Sequence, residues 1–286
     1  MAASRGTRVF ATWPRPERRA TILLVSATAT ASAPPRTLGD MMAARLRAAA
    51  IVAIGSGIAG ALVGGLGSRL VMRLAALAAP EVRGAVTENG AIVGEITLTG
   101  TVALVVFAGV ASTALGAGAF VLVKPWLPER TVLRGMVFGG FLLATMGASV
   151  IDAGNADFVI LGDRLLNVAI FSSLFLAFGV VASAASTALE ARVPEAAALS
   201  PRLWAVSAIC ALPLIPGVIG MAFGFGPRLG VPLLAASAAM CAVPSVERRG
   251  RHGLAQLIRV GATVGMLVVV GLAGADYVDN VITILR

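Results

Sequence analysis

From Ala48 to Ala79 the chain runs for 32 residues without an Asp, Glu or Lys. A transmembrane helix needs about 20 mostly apolar residues, so this stretch is long enough to cross a bilayer. Similar apolar stretches recur along the rest of the chain. We therefore predict an all-α fold, a polytopic bundle of about seven transmembrane helices.

The composition supports a membrane environment over a soluble one. Hydrophobic residues make up 58% of the chain and charged residues 13%, whereas soluble domains carry about 25% charged residues. The net charge of +9 comes from arginines in short tails and loops beside apolar segments. That distribution is typical of topology signals, so the expected partners are the lipid bilayer and anionic lipids at inner basic loops, and not nucleic acid.

Few side chains can carry metal or nucleophilic chemistry. The chain has a single histidine, His252, and two cysteines, Cys210 and Cys241, both within apolar segments. Bis-histidine haem ligation is excluded, and a zinc cluster or a histidine-based nucleophile pair finds no support. We expect no metal, no cofactor and no enzymatic activity.

The N-terminal region, residues 1–47, is basic and is interpreted as a disordered tail. An alternative is a misplaced start, with translation beginning at Met41 or Met42. A signal-like order is also present, because arginines precede a weakly apolar stretch that ends in Ala31-Ser32-Ala33. We favour a tail or a misplaced start, since a downstream span can itself direct insertion.

The transmembrane domain is predicted to occupy residues 48–286, and its first span to continue as helix through Ala79. The third and sixth spans are short, and the sixth can alternatively be a re-entrant arm. The tail from Asp276 to Arg286 can lie along the membrane interface. The seven spans are predicted near residues 48–67, 96–123, 135–151, 165–187, 203–224, 229–243 and 257–275.

Loop charges predict the orientation. Arginine and lysine concentrate in the N-terminal tail and in the loops after the second, fourth and sixth spans. By the positive-inside rule, the N-terminus lies inside and the C-terminus outside. We predict a multi-pass protein of a bacterial plasma (inner) membrane.

One polar cluster breaks the charge pattern at the predicted outer face. Arg69 and Arg73 share one helix face at a spacing of four residues, and an arginine near hydrocarbon needs a partner. Two interpretations stay open: a structural clasp that ties loops to the bundle, or a vestibule for an ion or small polar solute. The cluster comprises Arg69, Arg73, Glu88, Glu95, Asp152, Asp157, Asp163 and Arg164.

Small residues form rows on the first span. Gly57, Gly60, Gly64 and Gly65 lie in two neighbouring rows that allow close helix packing. Packing inside the bundle is favoured over a homo-oligomer or another membrane-protein partner. Other glycine pairs at the same spacing are Gly135/Gly139, Gly220/Gly224 and Gly261/Gly265. In the fifth span, Pro213 and Pro216 predict a kink.

Several short motifs between residues 55 and 185 carry a family resemblance. They are Arg69-Leu-Val-Met-Arg73, the segment Thr87 to Gly94, Thr99-Gly-Thr101, Trp126-Leu-Pro and Asn155-Ala-Asp-Phe158. With these motifs the chain resembles a group of bacterial multi-pass membrane proteins that has no established activity. The resemblance implies a membrane protein and assigns no functional residue.

Two functions are compatible with these patterns. The first is a transporter or channel-like module with an outward polar vestibule. The alternative is a structural or partner-binding membrane subunit that packs through small-residue helix faces.

Overall fold

The computed structural model of the chain describes residues 38–78, 80, 84, 97–154, 163–195, 201–224 and 226–286. The chain divides into two compact units, Met1–Gly39 and Asp40–Arg286. Only Leu38 and Gly39 of the first unit are described, so most of the predicted basic tail lies outside the described residues. The architecture below is that of the second unit.

The first apolar stretch is one long helix with π-helical geometry in its middle. Helix α1 (Leu38–Ala59) runs into a π-helical segment (Gly60–Gly67), which continues as α2 (Ser68–Ala78). Half of the residues in the π segment are glycine, which tolerates departures from α geometry. At its exit the Ser68 hydroxyl donates to the carbonyl oxygens of Gly64 and Gly65, the latter at 3.0 Å, so carbonyls there keep a partner.

The next three spans are regular α-helices: α3 (Leu98–Val123), α4 (Thr131–Val150) and α5 (Arg164–Arg192). Thr97 begins α3 as an N-cap, its hydroxyl oxygen accepting from the Gly100 amide at 3.2 Å. Helix α4 has 20 residues because it starts at Thr131, four residues before the predicted position. The third span is therefore long enough to cross a bilayer.

The fifth span is broken, as its prolines predict. Helix α6 (Pro201–Ala211) ends in a turn at Leu212 and Pro213, and α7 (Leu214–Gly224) follows. Pro213 and Pro216 have no backbone N–H, so two rungs of a continuous helix are missing here. Within the described chain, α6 makes few contacts with other helices, whereas α7 packs closely against α3.

The last two spans are α8 (Gly226–Arg248) and α9 (His252–Leu285). With 23 residues, α8 is long enough to span, which favours that alternative over a re-entrant arm. The segment predicted as a C-terminal tail is part of α9, which continues past Ala275 as one helix of 34 residues. Its last turns are held to the bundle: the Asn280 side-chain amide donates to the Ala148 carbonyl at 3.1 Å, and the Tyr277 and Ser172 hydroxyls are 2.8 Å apart.

Seven helical stretches are long and apolar enough to cross a membrane, and the described residues contain no strand. The prediction of an all-helical fold with about seven such helices is confirmed. Helices α2, α4 and α9 end, and α3 and α5 begin, at one end of the bundle, called here the Arg164 end. The opposite end, where α4 begins and α5 ends, is called the Arg47 end.

Aromatic packing marks the core between α3, α4 and α5. The rings of Phe120 and Phe138 meet edge to face, with centroids 4.9 Å apart, and Phe178 lies 6.3 Å from Phe138. Phe138 is fully buried. Edge-to-face pairs of this kind are favoured by the ring quadrupoles, so this trio fixes how the three helices meet.

Candidate functional site

Five members of the predicted polar cluster lie in the described part of the chain, all toward the Arg164 end. Arg69 and Arg73 are on α2, Asp152 follows α4, and Asp163 and Arg164 start α5. The remaining members of the cluster, Glu88, Glu95 and Asp157, lie outside the described residues.

Three of these residues make bonds within loops and helix ends. An Asp163 carboxylate oxygen accepts from the Leu166 amide at 3.1 Å and caps α5, and Asp152 accepts from the Gly154 amide at 3.0 Å. Arg164 donates to the Ile284 carbonyl at 3.0 Å, where a cation suits the C-terminus of α9. Within the described ranges, no hydrogen bond or ion pair joins any of the three to Arg69.

Arg69 lies against the first turn of α3. A Cβ atom added to Gly100 would lie 2.7 Å from Nη2 of Arg69, so the guanidinium occupies the space that this glycine leaves open. The Arg69 Nε is buried and has no hydrogen-bond partner among the described residues. The first turn of a helix carries partial positive charge, so this placement does not by itself neutralise the arginine.

The small-residue rows of the first helix face other helices of the same chain. A Cβ on Gly65 would lie 2.6 Å from the Val105 Cα, and one on Gly64 would lie 3.1 Å from the Ala108 side chain. Gly57 and Gly60 face Thr113 and Ser112 in the same way. All four predicted packing glycines therefore face α3 of the same chain.

A cavity of about 350 Å³ lies between the first helix, α3, α4 and α5. Its wall is apolar except for Ser68 and Ser112, and the Ser68 hydroxyl is already bonded to its own helix. The π-helical segment forms one side, and three phenylalanines of α5 form the other. We call this space cavity one; among its lining residues are Val63, Ala111, Leu142, Phe171, Phe175 and Phe178.

A second cavity, of about 380 Å³, lies between α3, α4, α7, α8 and α9. We call it cavity two. Its lining mixes apolar side chains with three polar ones, Thr145, Ser149 and Asp276. Asp276 is exposed, and no other formally charged residue of the described ranges lines this cavity.

The two cavities share two lining residues, Leu115 of α3 and Met146 of α4. Helices α3 and α4 make few direct contacts with each other. Side chains rather than packed backbones therefore separate the two spaces. Leu115 leans toward α7, where a Cβ on Gly220 would lie 2.9 Å from its Cδ2.

Sequence analysis did not identify the residues that line these cavities. Leu115, Met146 and the phenylalanines of α5 look like ordinary core residues of apolar helices, and no local signal marks them. Asp276 carried a signal, because it is an acidic residue within the last apolar region, but it was assigned to an interfacial tail. The continuation of α9 past Ala275 places it in a cavity wall instead.

Two further side chains have structural partners. The Trp126 indole N–H donates to the Thr263 hydroxyl at 3.1 Å. Arg259 forms an ion pair of 2.8 Å with Glu247 across the α8–α9 turn. Cys210 and Cys241 are both free thiols. Within the described residues, no group of three His, Cys, Asp or Glu side chains is arranged to hold a metal ion.

Comparison with protein-family models, with curated proteins and with solved structures finds no match to this chain.

Proposed function

We propose that this chain is a multi-pass protein of a bacterial inner membrane, with its N-terminus inside and C-terminus outside, that takes up a membrane-soluble molecule within its helix bundle. In this proposal the protein is a transport or permeation module, and the Arg164 end faces outward as its vestibule. The observation that carries the proposal is cavity one.

Cavity one has the size and chemistry of a ligand pocket. Its volume of about 350 Å³ falls in the range of roughly 300–1,000 Å³ that small-molecule sites occupy. The space is open toward the outside of the bundle rather than enclosed. An apolar occupant gains dispersion contacts along its walls, and the surrounding hydrocarbon is a ready source of such molecules.

The vestibule interpretation of the polar cluster changes accordingly. Asp152, Asp163 and Arg164 serve as caps and turn residues, which favours the clasp interpretation for these three. Toward the same end, the polar residues that line cavity two are Thr145, Ser149 and Asp276.

The alternative of a partner-binding subunit has less support on the first span, where the small-residue faces are occupied by α3. On α9, by contrast, nothing in the described chain lies within 4 Å of a Cβ on Gly261, so that alternative stays a second candidate. The proposed function calls for no cofactor and no catalytic group, and the absence of enzymatic activity stays a prediction.

The test compares a substitution that fills cavity one with the same substitution at a neighbouring exposed position. Ala111 lines the cavity, whereas its neighbour Val110 is 67% exposed, so Ala111→Phe and Val110→Phe form a matched pair. We expect 1-dodecanol to raise the thermal midpoint of the wild type and of Val110→Phe in phosphatidylcholine nanodiscs. In Ala111→Phe the rise should be lost, because the ring occupies the space.

An equal rise in the folded Ala111→Phe variant would contradict the proposal. Circular dichroism checks the fold, and Ala111→Leu provides a smaller filler if the phenylalanine variant does not accumulate. With Ala111→Leu, a partial loss of the rise is expected, and an undiminished rise counts against the proposal.

A further inference from the structure

The polar groups of cavity two are all available as hydrogen-bond acceptors. The Thr145 hydroxyl donates its proton to the Phe141 carbonyl at 2.7 Å, and the Ser149 hydroxyl donates to the Met146 carbonyl at 2.7 Å. With these protons engaged, the hydroxyl oxygens retain only lone pairs for another molecule. Asp276, when ionised, is likewise an acceptor only.

The charge of cavity two is negative. Among the described residues, Asp276 is the only formally charged one that lines it, and no hydrogen bond or ion pair engages its side chain. Arg228 is adjacent in sequence to the lining residue Leu229, but it is exposed and does not itself line the cavity. A complementary guest therefore brings hydrogen-bond donors and positive charge, and an ammonium group offers three donors and one charge.

The wall between the cavities consists of side chains that can move. Leu115 and Met146 line both spaces, and the helices that carry them scarcely touch. Methionine has an unbranched chain with three rotatable bonds, which adapts to whatever lies beside it. We therefore expect rotamer changes at these two positions to control the passage between an apolar compartment and an acceptor-lined one.

We propose that cavities one and two together form one binding site for a cationic amphiphile, a molecule with an alkyl tail and a primary ammonium head. The tail lies in cavity one, passes between Leu115 and Met146, and places the ammonium beside Asp276 in cavity two. This inference rests on the proposed function, since it requires that cavity one accept an apolar chain.

The test compares dodecylamine with 1-dodecanol, which has the same tail and no charge. Binding is followed by the thermal midpoint of the protein in phosphatidylcholine nanodiscs, titrated with each compound. We expect dodecylamine to bind the wild type severalfold more tightly than dodecanol, because a charge-assisted hydrogen bond at an exposed carboxylate adds a modest gain. Asp276→Asn should abolish this difference and leave dodecanol binding unchanged.

Asp279→Asn is the matched control. Asp279 is on the same helix and is exposed, but it lines neither cavity. The Asp279→Asn substitution removes the same charge from the same helix, so a general surface-charge effect would weaken dodecylamine binding in both variants. An equal loss in Asp276→Asn and Asp279→Asn overturns the inference.

Chain length tests whether the tail reaches cavity one. Butylamine is too short to extend from Asp276 through the wall, so Ala111→Phe should weaken dodecylamine severalfold and leave butylamine unaffected. Undiminished dodecylamine binding in Ala111→Phe overturns the shared site. If dodecanol binds and dodecylamine binds no tighter, the inference fails and the proposed function stands; if neither compound binds, both fail.

Discussion

At the scale of single residues, two adjacent glycines in α4 have opposite surroundings. A Cβ on Gly139 would lie 2.6 Å from the Phe175 carbonyl oxygen and 2.7 Å from the Leu176 Cα, which are backbone atoms of α5. A Cβ on Gly140 would meet nothing within 4 Å. Gly139 thus sets how closely α4 and α5 approach, while Gly140 faces open space.

We expect Gly139→Ala to destabilise the protein by about 1–3 kcal/mol, the usual cost of forcing extra atoms into a packed contact. The backbone of α5 has to move to admit the methyl group. Gly140→Ala should be neutral or stabilising, by up to about 1 kcal/mol, because alanine is the better helix former. Unfolding curves in detergent micelles measure both. Similar losses in the two variants would contradict the packing described.

Spacing alone could not predict which glycines matter. Gly135 and Gly139 were identified as a packing pair, and both abut the backbone of α5. Gly261 and Gly265 have the same spacing, yet nothing lies within 4 Å of a Cβ on Gly261. An i, i+4 pair shows that two residues share a face, but the presence of a helix opposite that face depends on the tertiary fold.

At the scale of helices, the C-terminus of α5 is capped by a side chain from another helix. The Arg47 guanidinium donates to the carbonyl oxygens of Glu190, Val193 and Pro194, at 2.9, 2.7 and 2.7 Å. These carbonyls belong to the last turn of α5 and the residues after it, where intrahelical partners run out. A cation also suits this C-terminal end of the helix dipole.

Replacing Arg47 by Gln should lower stability by about 1–2 kcal/mol, toward the lower end for hydrogen bonds to charged groups because the site is partly exposed. Hydrogen exchange in the last turn of α5 should become faster. Arg45→Gln is the control, because Arg45 is exposed and has the same charge. The capping role is refuted if exchange at α5 responds equally to both substitutions.

Most helices could be predicted from apolar length, but several boundaries and local geometries could not. Helix α9 extends to Leu285 because Tyr277 and Asn280 bond to neighbouring helices. The local sequence gives no sign of this stabilisation, since the partners are distant in the chain. The π-helical segment Gly60–Gly67 likewise has a composition that an α-helix tolerates equally well. Both outcomes depend on contacts between residues distant in the chain.

At the scale of the whole molecule, the proposed orientation in the bilayer rests on loop charge and has a direct test. In a Cys210→Ser, Cys241→Ser background, single cysteines replace Asn89, Asn155, Arg192 or Arg249. We expect a membrane-impermeant thiol reagent applied to intact cells to label only the cysteines at positions 89 and 155, since basic loops stay inside. Labelling of the cysteine at position 192 or 249 from outside would mean that the orientation is reversed or that the number of spans is wrong.

The candidate site was the least predictable part. Arg69 and the acidic loop residues stand out because charge near apolar spans is costly, and that signal located the Arg164 end as the polar one. A cavity is space that four or five helices fail to fill, so it depends on their crossing geometry and on side chains such as Leu115 and Met146. No single segment of the chain encodes it.

The proline break in the fifth span bears on membranes of different thickness. Helix α7 is fixed to α3, where a Cβ on Gly118 would lie 2.6 Å from the Gly217 carbonyl carbon, whereas α6 contacts its neighbours only sparsely. Helices meet a change in hydrocarbon thickness by tilting, at a modest cost per ångström of mismatch. We expect α6 to take up that tilt by bending at Pro213, which would leave the helices around the cavities in place.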